Sequence, residues 1–118
     1  LTLPIIRTAS ELLARLARLR HDGRVALVPT MGAVHEGHLA LLRAARARCR
    51  RVVATIFVNP TQFGPNEDFA SYPRDETGDA ARLGAAGCDA LYAPDVAEIY
   101  PKGAAATVSA GTRAIPGT

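Results

Sequence analysis

The sequence has no tryptophan, one methionine and two cysteines, and aromatic residues make up only 5% of its 118 positions. Cys49 and Cys88 lack the paired spacing of a zinc or redox motif, so we predict small, buried, reduced side chains. The longest nearly apolar run, residues 52–58, is far shorter than the roughly 20 residues that cross a bilayer. The first residues also lack the pattern of a secretory signal. These absences predict a cytoplasmic protein with no membrane span.

Hydrophobic residues make up 48% of the chain and charged residues 21%, which excludes a disordered chain. The length, residues 1–118, allows one domain or part of one. The formal net charge of +3 is uneven, because residues 1–59 carry +7 and residues 60–118 carry −4. Such a distribution is compatible with an anionic ligand, with nucleic acid or with a solvated helix surface.

Helix and strand patterns alternate along the chain. Thr8 and Glu11 have the spacing of a capping box, and leucines at helical intervals follow as far as residues 22–23. The short apolar run 25–28 predicts a central parallel strand that is buried on both faces. The other predicted elements are helices over 36–50 and 75–86, strands over 52–58 and 90–93, a helical turn over 96–100 and an edge strand over 107–109.

This order predicts an α/β fold, a Rossmann-like parallel sheet with helices on both faces. Ligands in such sheets bind beyond the carboxyl ends of the strands. The loops 29–38 and 59–73 both follow predicted strands, so we expect them to face one crevice. The second loop is long for a compact domain, which is typical of loops that bind a ligand or move. Asn59, before Pro60, is predicted to form a turn.

His35 and His38 are spaced to share one side of the first turn of the second helix. We expect free backbone N–H groups at this helix start to favour a phosphate, and Gly37 to let a ligand approach the backbone. Imidazole and amide donors together would stabilise charge on a phosphorus atom under in-line attack. The spacing differs from that of zinc proteases, whose histidines are four residues apart, so we predict no protein-held metal site.

Five arginines lie towards the far end of that helix: Arg43, Arg46, Arg48, Arg50 and Arg51. Cations there complement the helix C-terminus, and no aromatic residues alternate with them to stack bases. We therefore predict a solvated face and no nucleic-acid binding. Acidic residues within 67–79 are candidates for holding magnesium or capping the third helix, and capping is favoured.

Three segments resemble the pantoate–β-alanine ligase (pantothenate synthetase) family: VPTMGAVHEGH at 28–38, IFVNPTQFGPNEDF at 56–69 and YPRD at 72–75. They occur in order across the chain, with Val34 where leucine is usual. The His-x-Gly-His element is shared with a wider nucleotidyltransferase superfamily, whereas the loop NPTQFGPN is particular to this family. The resemblance implies that the carboxylate of (R)-pantoate attacks ATP to form pantoyl adenylate and pyrophosphate. The amine of β-alanine would then displace AMP to give pantothenate.

The resemblance also implies roles for individual residues. ATP, accompanied by magnesium, would be bound by Met31, Gly32, Ala33, Val34, His35, Glu36, Gly37 and His38. His38 would be the catalytic proton donor and His35 its phosphate-contacting partner. Because the helix dipole disfavours charged imidazoles, neutral donors that stabilise the transition state fit equally well. Gln62 would contact pantoate near β-alanine, with Met31 as an apolar wall, or would tie down its own loop. A homodimer is also implied.

Family members are longer, with a second ATP-contacting stretch carrying a Lys-Asp and a glutamine pair, a Ser-Ser-Arg-Asn segment and a smaller C-terminal domain. None of these occurs here, so we expect residues 1–118 to form the N-terminal part of the nucleotide-binding domain. Two alternatives stay open. One is another His-x-Gly-His nucleotidyltransferase that does not depend on pantoate. The other is a catalytically incomplete chain that binds ligand or self-associates through a sheet edge.

Overall fold

A computed structural model describes residues 3–65 and 68–101 of the chain. Its parallel sheet has the strand order β1-β4-β3-β2, with strands β1 (Ile5–Ile6), β2 (Val25–Thr30), β3 (Arg51–Ile56) and β4 (Ala90–Tyr92). The helices are α1 (Ala9–Leu19), α2 (Glu36–Arg48), α3 (Glu76–Ala85) and α4 (Val96–Ile99). The predicted α/β fold with a parallel sheet is confirmed, whereas the strand predicted over 107–109 lies outside the described residues.

The helices cover both faces of the sheet, as predicted. On one face, Leu42 of α2 and Leu83 of α3 are fully buried against β3 and β4. On the other face, the leucine stripe of α1 packs against a second cluster that includes Val53 and Tyr92. Two apolar layers therefore hold the strands in place and fix where their carboxyl ends lie.

Strand β2 is longer and more exposed than predicted. It pairs with β3 from Val25 to Thr30, and no other described strand lies beside it. Leu27 is 60% exposed, whereas Val28 is only 2% exposed. The prediction of a central strand buried on both faces is therefore wrong within the described residues, because β3 holds the inner position.

The helix ends follow the predicted capping signals. The Oγ1 atom of Thr8 accepts a hydrogen bond of 3.2 Å from the backbone N–H of Glu11. The α-helix α1 ends at Leu19 and a short 3₁₀ turn continues to Gly23, whose φ of +130° favours glycine. At the start of α3, Oδ1 of Asp75 accepts from Gly78 N–H at 3.1 Å. The predicted capping role of the acidic segment is therefore confirmed for Asp75.

The two cysteines differ in their surroundings. Both are free thiols, but Cys88 is buried whereas Cys49 is only half-buried, so the prediction of burial holds for Cys88 alone. Burial raises the pKa of the Cys88 thiol. In the described ranges, no helix has the length and apolar character needed to cross a membrane.

Candidate active site

The carboxyl ends of the strands open into a cleft of about 730 Å³. Residues that follow each strand line it: Arg7 after β1, Met31 after β2, Val58 after β3 and Ala93 after β4. The loops 29–38 and 59–73 both contribute to the walls, so the prediction that they face one crevice is confirmed. Apolar side chains form much of the lining, as is typical of small-molecule sites.

An ion pair crosses one wall of this cleft. The guanidinium of Arg7 donates two hydrogen bonds, of 2.6 and 2.7 Å, to the carboxylate of Glu76. It donates a third bond of 3.1 Å to the carbonyl of Ala93. The hydrogen bonds from Arg7 hold the pKa of Glu76 below its ordinary value. The pair thus joins the end of β1 to the first turn of α3.

His35 and His38, at the start of α2, both accept hydrogen bonds from nearby backbone N–H groups through their ring nitrogens. His35 is the N-cap residue, and its backbone N–H donates to Nδ1 of His38 at 3.1 Å. The Nδ1 atom of His35 in turn accepts from the N–H of Gly37 at 3.0 Å. Because each Nδ1 is an acceptor, each ring carries its proton on Nε2. The rings lie with their centroids 4.2 Å apart, so the pair presents two neighbouring Nε2–H donors.

The environment of His38 favours the neutral imidazole. Burial lowers the pKa of His38 below its ordinary value, and the nearby His35 acts in the same direction. The carboxylate of Asp79 opposes this shift but does not reverse it. At neutral pH the His38 ring is therefore mainly an uncharged donor.

Gly37 is needed for a reason other than the predicted one. A Cβ atom at this position would lie 2.8 Å from Cε1 of His35 and 3.1 Å from its Nδ1. The space beside Gly37 is therefore filled by the imidazole of His35. That a ligand approaches the backbone at Gly37 stays a prediction.

The backbone amides before α2 are already hydrogen-bonded within the chain. Gly32 N–H donates to Oγ1 of Thr30 at 3.0 Å. The N–H groups of Ala33 and Val34 donate to the carboxylate of Asp79 at 3.0 and 2.9 Å. The expectation of free amides at the helix start is wrong for Gly37, whose N–H donates to the His35 ring. An anion near this helix start would meet the imidazoles instead.

Asp79 is a buried residue beside the site, and its observed contacts differ from the capping role that the sequence predicted. Its side chain is 1% exposed and lies one turn inside α3. There it also accepts a hydrogen bond of 2.8 Å from the guanidinium of Arg82. It contacts the turn at Gly32 and Ala33, and neither caps α3 nor faces solvent. The signal was its spacing: Asp79 and the core residue Leu83 lie four positions apart, on one helix face.

The long loop is ordered by side chains of its own. Oδ1 of Asn59 accepts from the N–H and hydroxyl of Thr61, at 3.0 and 2.7 Å, which confirms the predicted turn. The hydroxyl of Tyr100 also donates to Asn59, at 3.1 Å. This places the end of α4 against the start of the loop.

Arg74 organises the second half of the same loop. Its guanidinium donates to the carbonyls of Phe69, Ala70 and Tyr72 at 3.0, 3.3 and 2.8 Å. It also lies 4.8 Å from the centre of the Phe69 ring. Phe63 meets Phe69 edge-on, with ring centres 5.3 Å apart. Arg74 lies in the last of the three segments that carry the family resemblance, but no role was predicted for it from the sequence, because its backbone contacts form only when the loop folds.

The predicted site residues occupy two neighbouring places. Met31 and Gly32 line the cleft, whereas His35, His38 and Gln62 are not part of its lining. Gln62 is exposed at the end of the short 3₁₀ turn Pro60–Gln62. The structure therefore joins the cleft to the histidine pair through the turn that follows Met31.

In the part of the chain that the structure describes, three of the five arginines towards the end of α2 and at the start of β3 pair with acidic side chains. Arg46 contacts Asp89 at 2.7 Å, and Arg51 pairs with Asp22 and lies 3.8 Å from Asp89. Arg43 pairs with Glu36. These partially exposed pairs are what a solvated face predicts.

Comparison with known proteins decides the family. A model of the family described as Pantoate-beta-alanine ligase matches residues 4–116. The chain belongs to the pantoate-beta-alanine ligase family. The resemblance seen in the three sequence segments is thereby confirmed.

Relatives in the pantoate-beta-alanine ligase family are longer than this chain. A pantothenate synthetase of Rhodospirillum rubrum is 61% identical over 108 residues, which cover 91% of this chain and 38% of the relative. One of Paramagnetospirillum magneticum is 58% identical over 106 residues, covering 89% and 37%. The chain thus spans less than two-fifths of the length of these relatives.

Solved structures of the pantoate-beta-alanine ligase family share the fold. A crystal structure of pantothenate synthetase from Thermus thermophilus matches with a TM-score of 0.77 and 50% identity, over 87% of this chain and 36% of that one. A pantoate-beta-alanine ligase from Francisella tularensis, complexed with beta-gamma ATP and beta-alanine, matches with a TM-score of 0.77 and 35% identity. That match covers 86% of this chain and 39% of the other.

Proposed function

We propose that residues 1–118 form the N-terminal, ATP-binding part of an ATP-dependent ligase that joins (R)-pantoate to β-alanine. Pantoate would attack the α-phosphorus to give pantoyl adenylate and pyrophosphate, and β-alanine would then displace AMP. The observation that carries this proposal is the family match over residues 4–116. The Francisella tularensis relative, complexed with beta-gamma ATP and beta-alanine, supports ATP and β-alanine as two of these substrates.

The histidine pair is the proposed contact to the phosphates of ATP within the segment Met31–His38. Two Nε2–H donors at a helix N-terminus can stabilise negative charge that grows on phosphoryl oxygens. The lowered pKa of His38 favours this role over proton donation, because a neutral ring that gave up its one N–H proton would become an unfavourable imidazolate. We therefore assign charge stabilisation to His38 and phosphate contact to His35.

Pantoate is proposed to lie between the cleft and the loop 59–73. Met31 and its apolar neighbours in the cleft suit the gem-dimethyl group. The exposed amide of Gln62 offers two donors and one acceptor for the hydroxy acid. Since Asn59 holds the turn, Gln62 does not have to tie down its own loop.

Magnesium is proposed to enter with the nucleotide. Among the described residues, no group of three or more His, Cys, Asp or Glu side chains could hold a metal ion. Buried Asp79 is occupied by Ala33, Val34 and Arg82. The residues therefore fit a magnesium ion that phosphate oxygens and water would mainly hold. Such an ion would neutralise part of the phosphate charge.

A homodimer in the cytoplasm completes the proposal. Leu27 is 60% exposed on β2, whose outer edge has no partner strand within the described residues. An apolar, unpaired edge of this kind favours association. Sedimentation of the protein at several concentrations measures the oligomeric state.

The test is a calorimetric titration of (R)-pantoate into the folded chain and its Gln62→Ala variant, with Arg48→Gln as a control at the far end of α2. Saturable binding that is lost in Gln62→Ala and kept in the control is expected. Equal binding by all three proteins would contradict the role of Gln62. No binding by any of them, with or without Mg-ATP, would contradict an acid site in this chain.

A further inference from the structure

We propose that Asp79 is a positioning residue for the imidazole pair: by holding the turn at Gly32 and Ala33, it sets the direction in which His35 and His38 present Nε2–H. The inference deepens the proposed function, since the value of this direction depends on the histidines contacting phosphate. The structural link between the carboxylate of Asp79 in α3 and the turn before α2 is observed directly and does not depend on the proposed function.

The first observation is that the buried carboxylate of Asp79 receives hydrogen bonds on both of its oxygens. Asp79 is 1% exposed, and burying a charge is costly unless hydrogen bonds replace water. Its Oδ1 accepts from Val34 N–H at 2.9 Å and from Arg82 at 2.8 Å. Its Oδ2 accepts from Ala33 N–H at 3.0 Å. Three donors therefore fix this side chain, and two of them belong to the turn.

The second observation is the unusual backbone of that turn. Gly32 has a φ of +87° and Ala33 a φ of +52°, so two consecutive residues are left-handed. Alanine rarely adopts this conformation, because its Cβ crowds the backbone. Successive N–H groups in such turns converge on a single anion. Here the anion is the carboxylate of Asp79, so the turn is held by the protein itself.

The third observation connects the turn to the histidines. Val34 directly precedes His35, whose backbone N–H donates to Nδ1 of His38. If the turn relaxes, the His35 N–H moves away and its hydrogen bond to Nδ1 of His38 breaks. The proton of His38 can then occupy either nitrogen, so the Nε2–H donor is no longer the fixed form.

The experiment compares Asp79→Asn with Asp75→Asn, a matched change four residues earlier, at the N-cap of α3, where the side chain accepts from Gly78 and not from the turn. Ring-nitrogen NMR shifts of His35 and His38, recorded in mildly alkaline solution where imidazoles are neutral, report the tautomers. The native protein is expected to show Nε2–H in both. In Asp79→Asn an NH2 group replaces one of the two oxygens, so this group cannot accept from the backbone N–H that faces it. The turn should then relax, and both tautomers of His38 should appear. Asp75→Asn should keep the Nε2–H form of His38.

Two further variants keep the inference falsifiable. Ala33→Gly, added to Asp79→Asn, should restore the Nε2–H form, since glycine adopts a positive φ without strain. If Asp79→Asn does not fold, Ala33→Val strains the exposed turn with Asp79 intact and should mix the tautomers. Unmixed His38 tautomers in a folded Asp79→Asn or, failing that, in Ala33→Val would overturn the inference. Equal mixing in Asp75→Asn would overturn it as well.

The measurement separates this inference from the proposed function. It uses the protein without ATP or pantoate, so the tautomers are read whether or not either ligand binds. A chain that shows the expected tautomers but binds no Mg-ATP would contradict the proposed function and leave the positioning role intact.

Discussion

Arg7 and Glu76 are joined by two hydrogen bonds of 2.6 and 2.7 Å, although 69 positions separate them in the sequence. The pair connects the first strand to the third helix across the wall of the cleft. It is partly exposed, with 56% of the Arg7 side chain and 39% of the Glu76 side chain accessible. Its contribution to stability is therefore that of a well-oriented surface pair, about 1 kcal/mol at most.

Replacing Arg7 with methionine should lower the free energy of unfolding by about 1 kcal/mol at pH 7. The pKa of Glu76 is depressed in the folded protein, so the pair stabilises above the ordinary glutamate pKa and is lost as pH falls through the folded value. The difference between the native protein and Arg7→Met should therefore shrink in acid. Urea unfolding at several pH values measures it, and a difference that is constant with pH would refute the assignment.

His38 should make the protein less stable in mildly acidic solution. Its folded pKa lies below its unfolded value, so the unfolded chain binds more protons between the two. Stability should be complete above the unfolded pKa and fall as pH drops through the window towards the folded one. In His38→Gln this part of the pH dependence should disappear. Unfolding curves for both proteins give the answer, and identical pH profiles would speak against a depressed pKa.

Gly37→Ala should disturb the site without weakening the fold. The added Cβ would displace the His35 ring, which lies 2.8 Å away. Loss of one hydrogen bond to a charged phosphate should weaken Mg-ATP binding by roughly tenfold. Gly84→Ala is the control, because its Cβ would meet only Leu3 at 3.6 Å, an ordinary contact. That variant should leave binding unchanged and raise helix stability by about 0.5–1 kcal/mol; comparable weakening in both would count against the role of Gly37.

Arg74→Lys should loosen the loop 59–73. Lysine keeps the charge but cannot reach three carbonyls as a planar fork or stack on Phe69 in the same way. We expect faster amide exchange at residues 69–72, with Arg48→Lys as the control for a general effect of the substitution. Exchange measured by NMR or mass spectrometry tests this, and unchanged protection would mean that the aromatic contacts alone order the loop.

Local patterns predicted the fold well because each element carries its own signal. Thr8 and Asp75 cap the helices as their positions indicate, and the leucine stripe of α1 packs where its spacing places it. The sequence did not predict β1, because a two-residue strand is too short for any periodicity. The position of β2 was also missed, since burial on both faces depends on neighbouring strands and not on apolar composition alone.

The site was predicted only where a local motif marks it. The segment Met31–His38 was recognised from its motif, and the structure places it beyond the end of β2. The contacts of Asp79 and Arg7 join residues that lie more than forty positions apart, so no local pattern reveals them. The hydrogen bonds of the turn's backbone amides were not predicted, because the carboxylate that accepts them comes from a distant helix.

The strand order has a consequence for how the chain acquires its structure. Of the strands that the structure describes, β1 pairs with β4 alone, and the N–H groups of Leu91 and Ala93 donate to the carbonyls of Pro4 and Ile6, each at 2.9 Å. Contacts over such a long stretch of chain form late, because the intervening loop must first close. Among the described strands, β1 is therefore synthesised before the others but has no partner until β4 is available. The described strand that is earliest in the sequence waits longest for its neighbour.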